Sequence, residues 1–172
     1  MKRRIMPLVL SAYFVLFIIF VVLLAYFWNR DSKTPVQPIN FSHQIHVSKV
    51  GLQCTFCHDK VDKSTFAGIP PVQKCMSCHK NVKTESPEIQ KLTRYWEEKK
   101  PVPWKRVYSF KIQNYVYFSH KRHIKAGLDC SKCHGEVKLM PQMKRVRQLE
   151  MGWCVSCHKA NMAPTDCVTC HK

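Results

Sequence analysis

The feature that most constrains this chain is a five-residue phrase, Cys-x-x-Cys-His, that occurs five times. The copies begin at Cys54, Cys75, Cys130, Cys154 and Cys167, and together they use all ten cysteines. The phrase is the attachment signal for c-type haem, in which two thiols bond the porphyrin and the adjacent histidine binds the iron. Zinc ribbons and thiol–disulfide sites also contain Cys-x-x-Cys pairs, but neither needs a histidine directly after every second cysteine. The sequence therefore predicts five covalently bound haems c.

The motif assigns two sets of residues. The first contains the cysteines that bond haem, which are Cys54, Cys57, Cys75, Cys78, Cys130, Cys133, Cys154, Cys157, Cys167 and Cys170. The second contains the proximal iron ligands, which are His58, His79, His134, His158 and His171.

The remaining four histidines lie in a duplicated phrase, Phe-Ser-His-x-x-His. They are His43 and His46 in the first copy, and His120 and His123 in the second. Because each copy precedes a haem motif, we expect these four to be distal iron ligands, rather than surface histidines or an accessory zinc site. We expect the first histidine of each pair to serve the haem attached just after it, and the second to serve a neighbouring haem.

The fifth haem has no histidine left for its distal side, and methionine is the usual substitute. Met143 is the first choice because it lies eleven residues before Cys154, the offset that separates His43 from Cys54. The other candidates are Met151, Met140 and Met162. The alternatives are methionines that only pack against haem, and a five-coordinate iron that reacts with a small ligand.

The N-terminal segment predicts a membrane anchor. Residues 8–28 carry no charge and would span about 30 Å as a helix, the thickness of a hydrocarbon core. Lys2, Arg3 and Arg4 precede them, so we expect a cytoplasmic N-terminus and a periplasmic remainder at a bacterial inner membrane. A cleaved signal peptide is the alternative, but its apolar region would be shorter and would end in small residues.

The predicted organisation follows from these segments. Residues 1–28 form the N-terminus and anchor, 29–40 a polar linker, and 41–172 a periplasmic pentahaem domain. Within that domain we distinguish a repeat at 41–80, a spacer at 81–117, a second repeat at 118–159, and a segment for the fifth haem at 160–172.

The number of porphyrins predicts the fold class. Five haems in so short a domain leave little room for a polypeptide core, so we expect short α-helices and irregular coil with little or no sheet.

The net charge of +17 would suggest nucleic-acid binding. Each ferric haem contributes a charge of about −1, however, and the remaining positive surface suits anionic lipid or an acidic redox partner.

The spacer contains one clear helix signal. Ser86-Pro87-Glu88 has the cap, first-turn proline and early acid of a helix start, and Pro101 is expected to end the helix. Its apolar face comprises Ile89, Leu92 and Trp96. Residues 101–117 suggest extended chain with aromatic side chains available to cover porphyrin, namely Trp104, Tyr108 and Phe110.

With these phrases in view, the domain resembles the multihaem cytochrome c3/c7 group. More narrowly, the whole chain resembles the membrane-anchored pentahaem subunit of bacterial alternative complex III. The matching stretches are the N-terminal anchor and residues 103–107, 115–120, 130–135, 151–154 and 166–167.

That resemblance implies an electron-carrying subunit rather than an enzyme. It would belong to a quinol-oxidising complex with iron–sulfur, polytopic quinol-site and monohaem cytochrome subunits, and would pass electrons to a periplasmic cytochrome or terminal oxidase. One alternative function is a membrane-anchored quinol dehydrogenase cytochrome that feeds a periplasmic reductase. Another is a small multihaem oxyanion reductase.

Overall fold

The computed structural model describes residues 2–30, 34–108 and 115–171. It divides the chain into two compact units, Met1–Thr34 and Pro35–Lys172. Residues 31–33 of the predicted linker lie outside the described part, as does Phe110, one of the aromatic residues expected to cover porphyrin.

The first unit consists of one long helix, α1, from Lys2 to Arg30. Within it, Val9–Phe27 is long and apolar enough to cross a membrane by length and composition. At a rise of 1.5 Å per residue this stretch spans roughly 28 Å, close to the thickness of a hydrocarbon core. A membrane anchor and a signal sequence both meet this description.

The second unit contains short helices joined by irregular chain, and no strand occurs among its described residues. Its longest helix has 11 residues, and three helices have only four. In chain order the elements are a π-helix at Gln44–Lys49, α2 at Cys54–Cys57, α3 at Val72–His79, α4 at Pro87–Glu97, α5 at His120–Lys125, α6 at Ser131–His134, a 3₁₀ turn at Val137–Leu139, α7 at Met151–Ala160 and α8 at Cys167–Cys170.

A small apolar core lies where α3 and α4 pack together. Ile39, Met76, Leu92 and Val102 are its buried members. The partly buried residues around them are Val72, Cys75, Ile89, Tyr95, Trp96 and Trp104. Full burial of such side chains contributes about 1.5–3 kcal/mol each. This cluster fixes α3, and therefore the second Cys-x-x-Cys-His motif, against the spacer helix.

The spacer helix forms as predicted, but its two ends differ in detail. Ser86 occupies the N-cap position, yet its side chain makes no capping hydrogen bond. The helix ends at Glu97, before the predicted stop at Pro101, because Lys99 adopts a left-handed φ of 52°. The N–H of Lys100 then donates back to the Tyr95 carbonyl at 2.9 Å. This αL turn satisfies a carbonyl that the helix leaves open.

Glu88 in the first turn of α4 connects the spacer to the segment before the first haem motif. Its carboxylate accepts the Asn40 N–H at 2.6 Å and a Lys91 ammonium hydrogen at 2.6 Å. The Lys91 hydrogen bond first, and the Asn40 N–H second, hold the pKa of Glu88 below its usual value.

Replacing Glu88 with glutamine should therefore destabilise the domain by about 1 kcal/mol at neutral pH. Because the folded-state pKa of Glu88 is lowered, its contribution is present above the ordinary glutamate value of 4.5 and is lost as pH falls through the folded-state value. Guanidinium unfolding of the two proteins at several pH values measures this. The control is Glu97→Gln on the same helix, and an equal loss in both variants would contradict the assigned role.

The two copies of Phe-Ser-His-x-x-His fold differently. The second begins an α-helix, whereas the first leads into a π-helix, in which the Val50 N–H donates to the Ile45 carbonyl at 2.9 Å. The first copy has one more residue between its first histidine and the following cysteine than the second. A π-helical turn accommodates an extra residue. Gly51 and Gly127 follow the two helices with φ of 83° and 79°, left-handed values that favour glycine.

Candidate haem-attachment sites

Each Cys-x-x-Cys-His motif lies on a short helical turn. The five turns are α2, α3, α6, α7 and α8, and Cys130 occupies the N-cap position of α6. Residues three apart on a helix share a face, so the two thiols of each motif point to the same side. The histidine comes directly after the second cysteine. It is the last residue of α3 and α6 and the first residue after α2 and α8, whereas in α7 it lies within the helix. This is the arrangement that bonding to one porphyrin requires.

Seven of the nine histidines are oriented by a backbone carbonyl. Because a carbonyl oxygen can only accept, Nδ1 carries the proton in each of these rings. Nε2 is then the nitrogen left for iron, as is usual for metal-binding histidines. The Nδ1–O distances are His46 to Ser42 2.8 Å, His58 to Gly68 2.7 Å, His79 to Val82 3.0 Å, His120 to Thr65 2.9 Å, His123 to Ser119 2.8 Å, His158 to Pro164 2.6 Å and His171 to Tyr115 2.6 Å.

The other two histidines, His43 and His134, have buried Nδ1 atoms without a hydrogen-bond partner among the described residues. Burial, followed by the proximity of His58 and His46, lowers the pKa of His43 to about 4. Burial, followed by His120 and His58, also lowers the pKa of His134. Both rings are therefore neutral at physiological pH, which is the form that binds a metal.

The histidines approach one another in pairs. Two imidazoles that bind one metal from opposite sides, at about 2 Å each, have ring centroids roughly 6 Å apart. Three pairs have this spacing: His46 with His79 at 6.0 Å, His120 with His134 at 6.4 Å and His123 with His158 at 6.0 Å. The His120–His134 pair is the one expected for the first histidine of its copy, and the other two pairs assign each second histidine to a particular neighbouring motif. The electrostatic effect of His58 on His43 supports the fourth.

A phenylalanine contacts the two predicted distal histidines of each copy in the same way. Phe41 stacks on His46 at 4.3 Å and meets His43 edge-on at 4.9 Å. In the second copy, Phe118 stacks on its second histidine at 4.5 Å and meets the first edge-on at 4.8 Å. The matching geometry supports an internal duplication, and it shows that the π-helix preserves the arrangement of the two histidines around the phenylalanine.

Tyr108 and Trp104, two of the aromatic residues expected near porphyrin, have different surroundings. The Tyr108 ring meets His134 edge-on at 4.7 Å, and its hydroxyl oxygen accepts the Val146 N–H at 3.0 Å. Trp104 packs against the apolar core beside the second motif. Tyr108 therefore lies at a candidate haem ligand, whereas Trp104 supports α3.

The cysteines indicate which motifs are neighbours. Burial raises the pKa of five thiols, and in four of them, Cys75, Cys130, Cys133 and Cys154, a cysteine of another motif raises it further. The neighbours are Cys57 to Cys75, Cys54 to Cys130, Cys157 to Cys133 and Cys170 to Cys154. These effects indicate that the second motif lies near the first, the first near the third, the third near the fourth and the fourth near the fifth.

The fifth motif is tied to the end of the spacer. The Tyr115 carbonyl accepts from His171 Nδ1 at 2.6 Å, and the Tyr117 N–H donates to the Cys170 carbonyl at 2.8 Å. Sequence reasoning missed carbonyl groups of this kind, because any residue type can supply one. Gly68 is the exception among the residues that supply these backbone carbonyls. Its φ of 78° favours glycine, so the residue type at this position indicates the backbone conformation.

The candidate methionines differ in exposure. Met140 is 6% exposed, and its Cε lies 3.6 Å from where a Cβ on Gly135 would be, so it packs beneath the third motif. Met151 and Met162 are 68% and 96% exposed. Met143 is half-buried, and its ligation of the fifth haem stays a prediction.

Replacing Met143 with leucine tests that prediction. If Met143 ligates the fifth iron, losing the thioether should convert one haem from low-spin to high-spin, because leucine offers no donor atom. Low-temperature EPR of the ferric protein measures the change. Met162→Leu, at an exposed alternative candidate, is the comparison, and an unchanged spectrum for Met143→Leu would remove Met143 from the ligand set.

Comparison with known proteins gives two family matches on different parts of the chain. Residues 28–102 match the class III cytochrome C family, and residues 116–172 match the family described as cytochrome c7 and related cytochrome c. A curated relative, the menaquinone reductase multiheme cytochrome c subunit of Nitratidesulfovibrio vulgaris (strain Hildenborough), is 38% identical over 99 residues. The match covers 57% of this chain and 45% of the relative. The chain thus spans less than half of the relative's length.

These matches confirm the broader resemblance to the c3/c7 group. They do not single out alternative complex III, because the relative is named as a menaquinone reductase subunit. The resemblance to the alternative complex III subunit therefore rests on the sequence phrases alone.

Proposed function

We propose that this chain, a multihaem cytochrome c with the class III fold, is an electron-transfer subunit of a membrane-bound complex that reduces quinone. The observation that carries the proposal is the relative named as a menaquinone reductase subunit. The spatial succession of motifs supports an electron-carrying role, since each candidate haem site adjoins the next.

The proposed ligand set is the one predicted from the sequence. When bound, five haems would supply one-electron Fe(III)/Fe(II) couples. The ten cysteines would fix the porphyrins, and four histidine pairs would hold irons from both sides. The pairs are His43 with His58, His46 with His79, His120 with His134, and His123 with His158. His171 would be the proximal ligand of the fifth iron, with Met143 as the first candidate opposite it.

We propose that α1 anchors the domain at the bacterial inner membrane. Its apolar stretch has the length of a bilayer crossing, and Lys2, Arg3 and Arg4 precede it. By the positive-inside rule the N-terminus would be cytoplasmic and the haem domain periplasmic. The periplasm is where covalent haem attachment would take place.

The direction of electron flow separates two candidate functions. The curated relative favours flow toward quinone, from a periplasmic electron donor. The sequence phrases shared with alternative complex III favour flow from quinol, toward a periplasmic cytochrome or an oxidase. In both, the reaction with quinone would take place in partner subunits, and this chain would be an electron carrier.

Purification with native partners in mild detergent tests the proposal. A quinone-reducing complex should contain a polytopic membrane subunit, and its prereduced haems should reoxidise on addition of a menaquinone analogue. The control is the purified chain alone, whose haems should reoxidise much more slowly. Fast reduction by menaquinol with no net oxidation by menaquinone would favour quinol oxidation. Recovery without any polytopic subunit would contradict both functions.

A further inference from the structure

A loop of residues 59–68, called here the 59–68 loop, contacts two imidazoles that belong to different candidate haems. At its end, the Gly68 carbonyl accepts from His58 Nδ1 at 2.7 Å. Near its middle, the Thr65 carbonyl accepts from His120 Nδ1 at 2.9 Å, across 55 residues of sequence. One loop therefore orients the proximal histidine of the first motif and the proposed distal histidine of the third.

The contact with His120 extends to the start of α5. The Thr65 carbonyl also accepts the His120 backbone N–H at 3.1 Å, and the Ser64 carbonyl accepts the Lys121 N–H at 3.1 Å. The first N–H groups of a helix have no partner within it, and Ser119 makes no side-chain cap here. The loop therefore caps α5 while it orients the His120 ring.

The 59–68 loop is also tied to itself between these contacts. Its Lys60 carbonyl accepts the Ser64 N–H at 2.8 Å and the Lys63 N–H at 3.1 Å. The Lys60 side chain lies 3.6 Å from where a Cβ on Gly68 would be, and Val61 is only 8% exposed. Lys60 therefore lies near Gly68 and is hydrogen-bonded to Ser64, whose carbonyl in turn holds Lys121.

We propose that the 59–68 loop is a positioning element that sets the reduction potentials of the first and third haems together. This rests on the proposed haem ligation. A hydrogen bond from Nδ1 makes the imidazole a stronger donor to its metal, which favours ferric over ferrous iron. Weakening both hydrogen bonds should raise both potentials. The second, fourth and fifth haems have proximal histidines whose carbonyl partners lie outside this loop.

Gly68→Ala is the informative variant. The new methyl group has room, since its nearest neighbour is a side-chain atom at 3.6 Å, but the φ of 78° strains any residue except glycine. The strain should move the carbonyl that holds His58. Gly127→Ala is the matched control, because its φ of 79° imposes the same penalty in open space at a glycine outside the loop.

Potentiometric titration with EPR should resolve the outcome. In Gly68→Ala we expect a full haem content and a raised reduction potential of the first haem. At a fixed applied potential its oxidised-to-reduced ratio should fall about tenfold, which corresponds to 59 mV for one electron. The third haem should shift in the same direction by less, while Gly127→Ala, just after the helix that carries His120, leaves the first haem unchanged. Equal shifts in the two variants, or no shift of the third haem in Gly68→Ala, would overturn the proposal.

Hydrogen exchange provides a test that needs no variant. In the wild-type protein with ¹⁵N-labelled histidine, the Nδ1 protons of His58 and His120 should exchange with deuterium at the same rate, because one loop opening exposes both. Clearly different rates would overturn the joint positioning. Absence of bis-histidine EPR signals from the wild type would instead show that the ligand assignment itself is wrong, so the two failures are distinguishable.

Discussion

Replacing both cysteines of the first motif, Cys54→Ala with Cys57→Ala, is expected to lower haem content from five to four per chain and to divide the electron path. The pKa effects between thiols place the first motif between the second and the third, with Cys57 beside Cys75 and Cys54 beside Cys130. Without that haem, the second haem should exchange electrons with the rest only slowly. Pyridine haemochrome assays measure the haem content, and stopped-flow reduction measures the exchange.

The second motif supplies the matched control. Its haem should lie at one end of the path, so Cys75→Ala with Cys78→Ala should also remove one haem while the other four still exchange electrons rapidly. Equal kinetic defects in the two variants would contradict the spatial order. A wild-type haem content well below five would contradict the assignment of the motifs themselves.

The candidate haem-bonding residues could be proposed from the sequence because their chemistry lies in the side chains. Cysteine and histidine are identified by their spacing alone, and the duplicated phrases indicated which histidines are equivalent. The repetition left open which neighbouring haem the second histidine of each copy serves, and the 6.0 Å spacing of His46 and His79 favours the second motif for His46. The helix at Pro87–Glu97 was predictable for a similar reason, because its start signals and apolar face are local.

The remaining features depend on backbone conformation and tertiary contacts. No residue type near Lys99 predicts the left-handed φ that ends α4 at Glu97, before the expected stop at Pro101. The helix in the first Phe-Ser-His-x-x-His copy is a π-helix rather than an α-helix, because that copy has one extra residue before its cysteine. This effect on the helix type becomes visible only when the structures of the two copies are compared. The Thr65 and Tyr115 carbonyls reach histidines more than fifty residues away, and their side chains give no sign of it.

Replacing His46 with alanine should leave the second haem with a single protein ligand, His79. The His46 ring is held for this role by the Ser42 carbonyl at 2.8 Å and by stacking on Phe41 at 4.3 Å. In the ferric variant one low-spin bis-histidine EPR signal should disappear and one equivalent of high-spin haem should appear. Lys49→Ala, an exposed change in the same π-helix, should leave the spectrum unchanged.

Added imidazole separates loss of a ligand from general disruption of His46→Ala. If His46 binds the second iron, free imidazole should enter the space that its ring leaves beside Phe41 and restore the low-spin signal, because the donor nitrogen is the same. It should also lower the potential of the second haem back toward the wild-type value. A variant that stays low-spin without imidazole would show that His46 is not a ligand. A high-spin signal that imidazole cannot convert would show that the fold around His79 depends on His46 for reasons other than ligation.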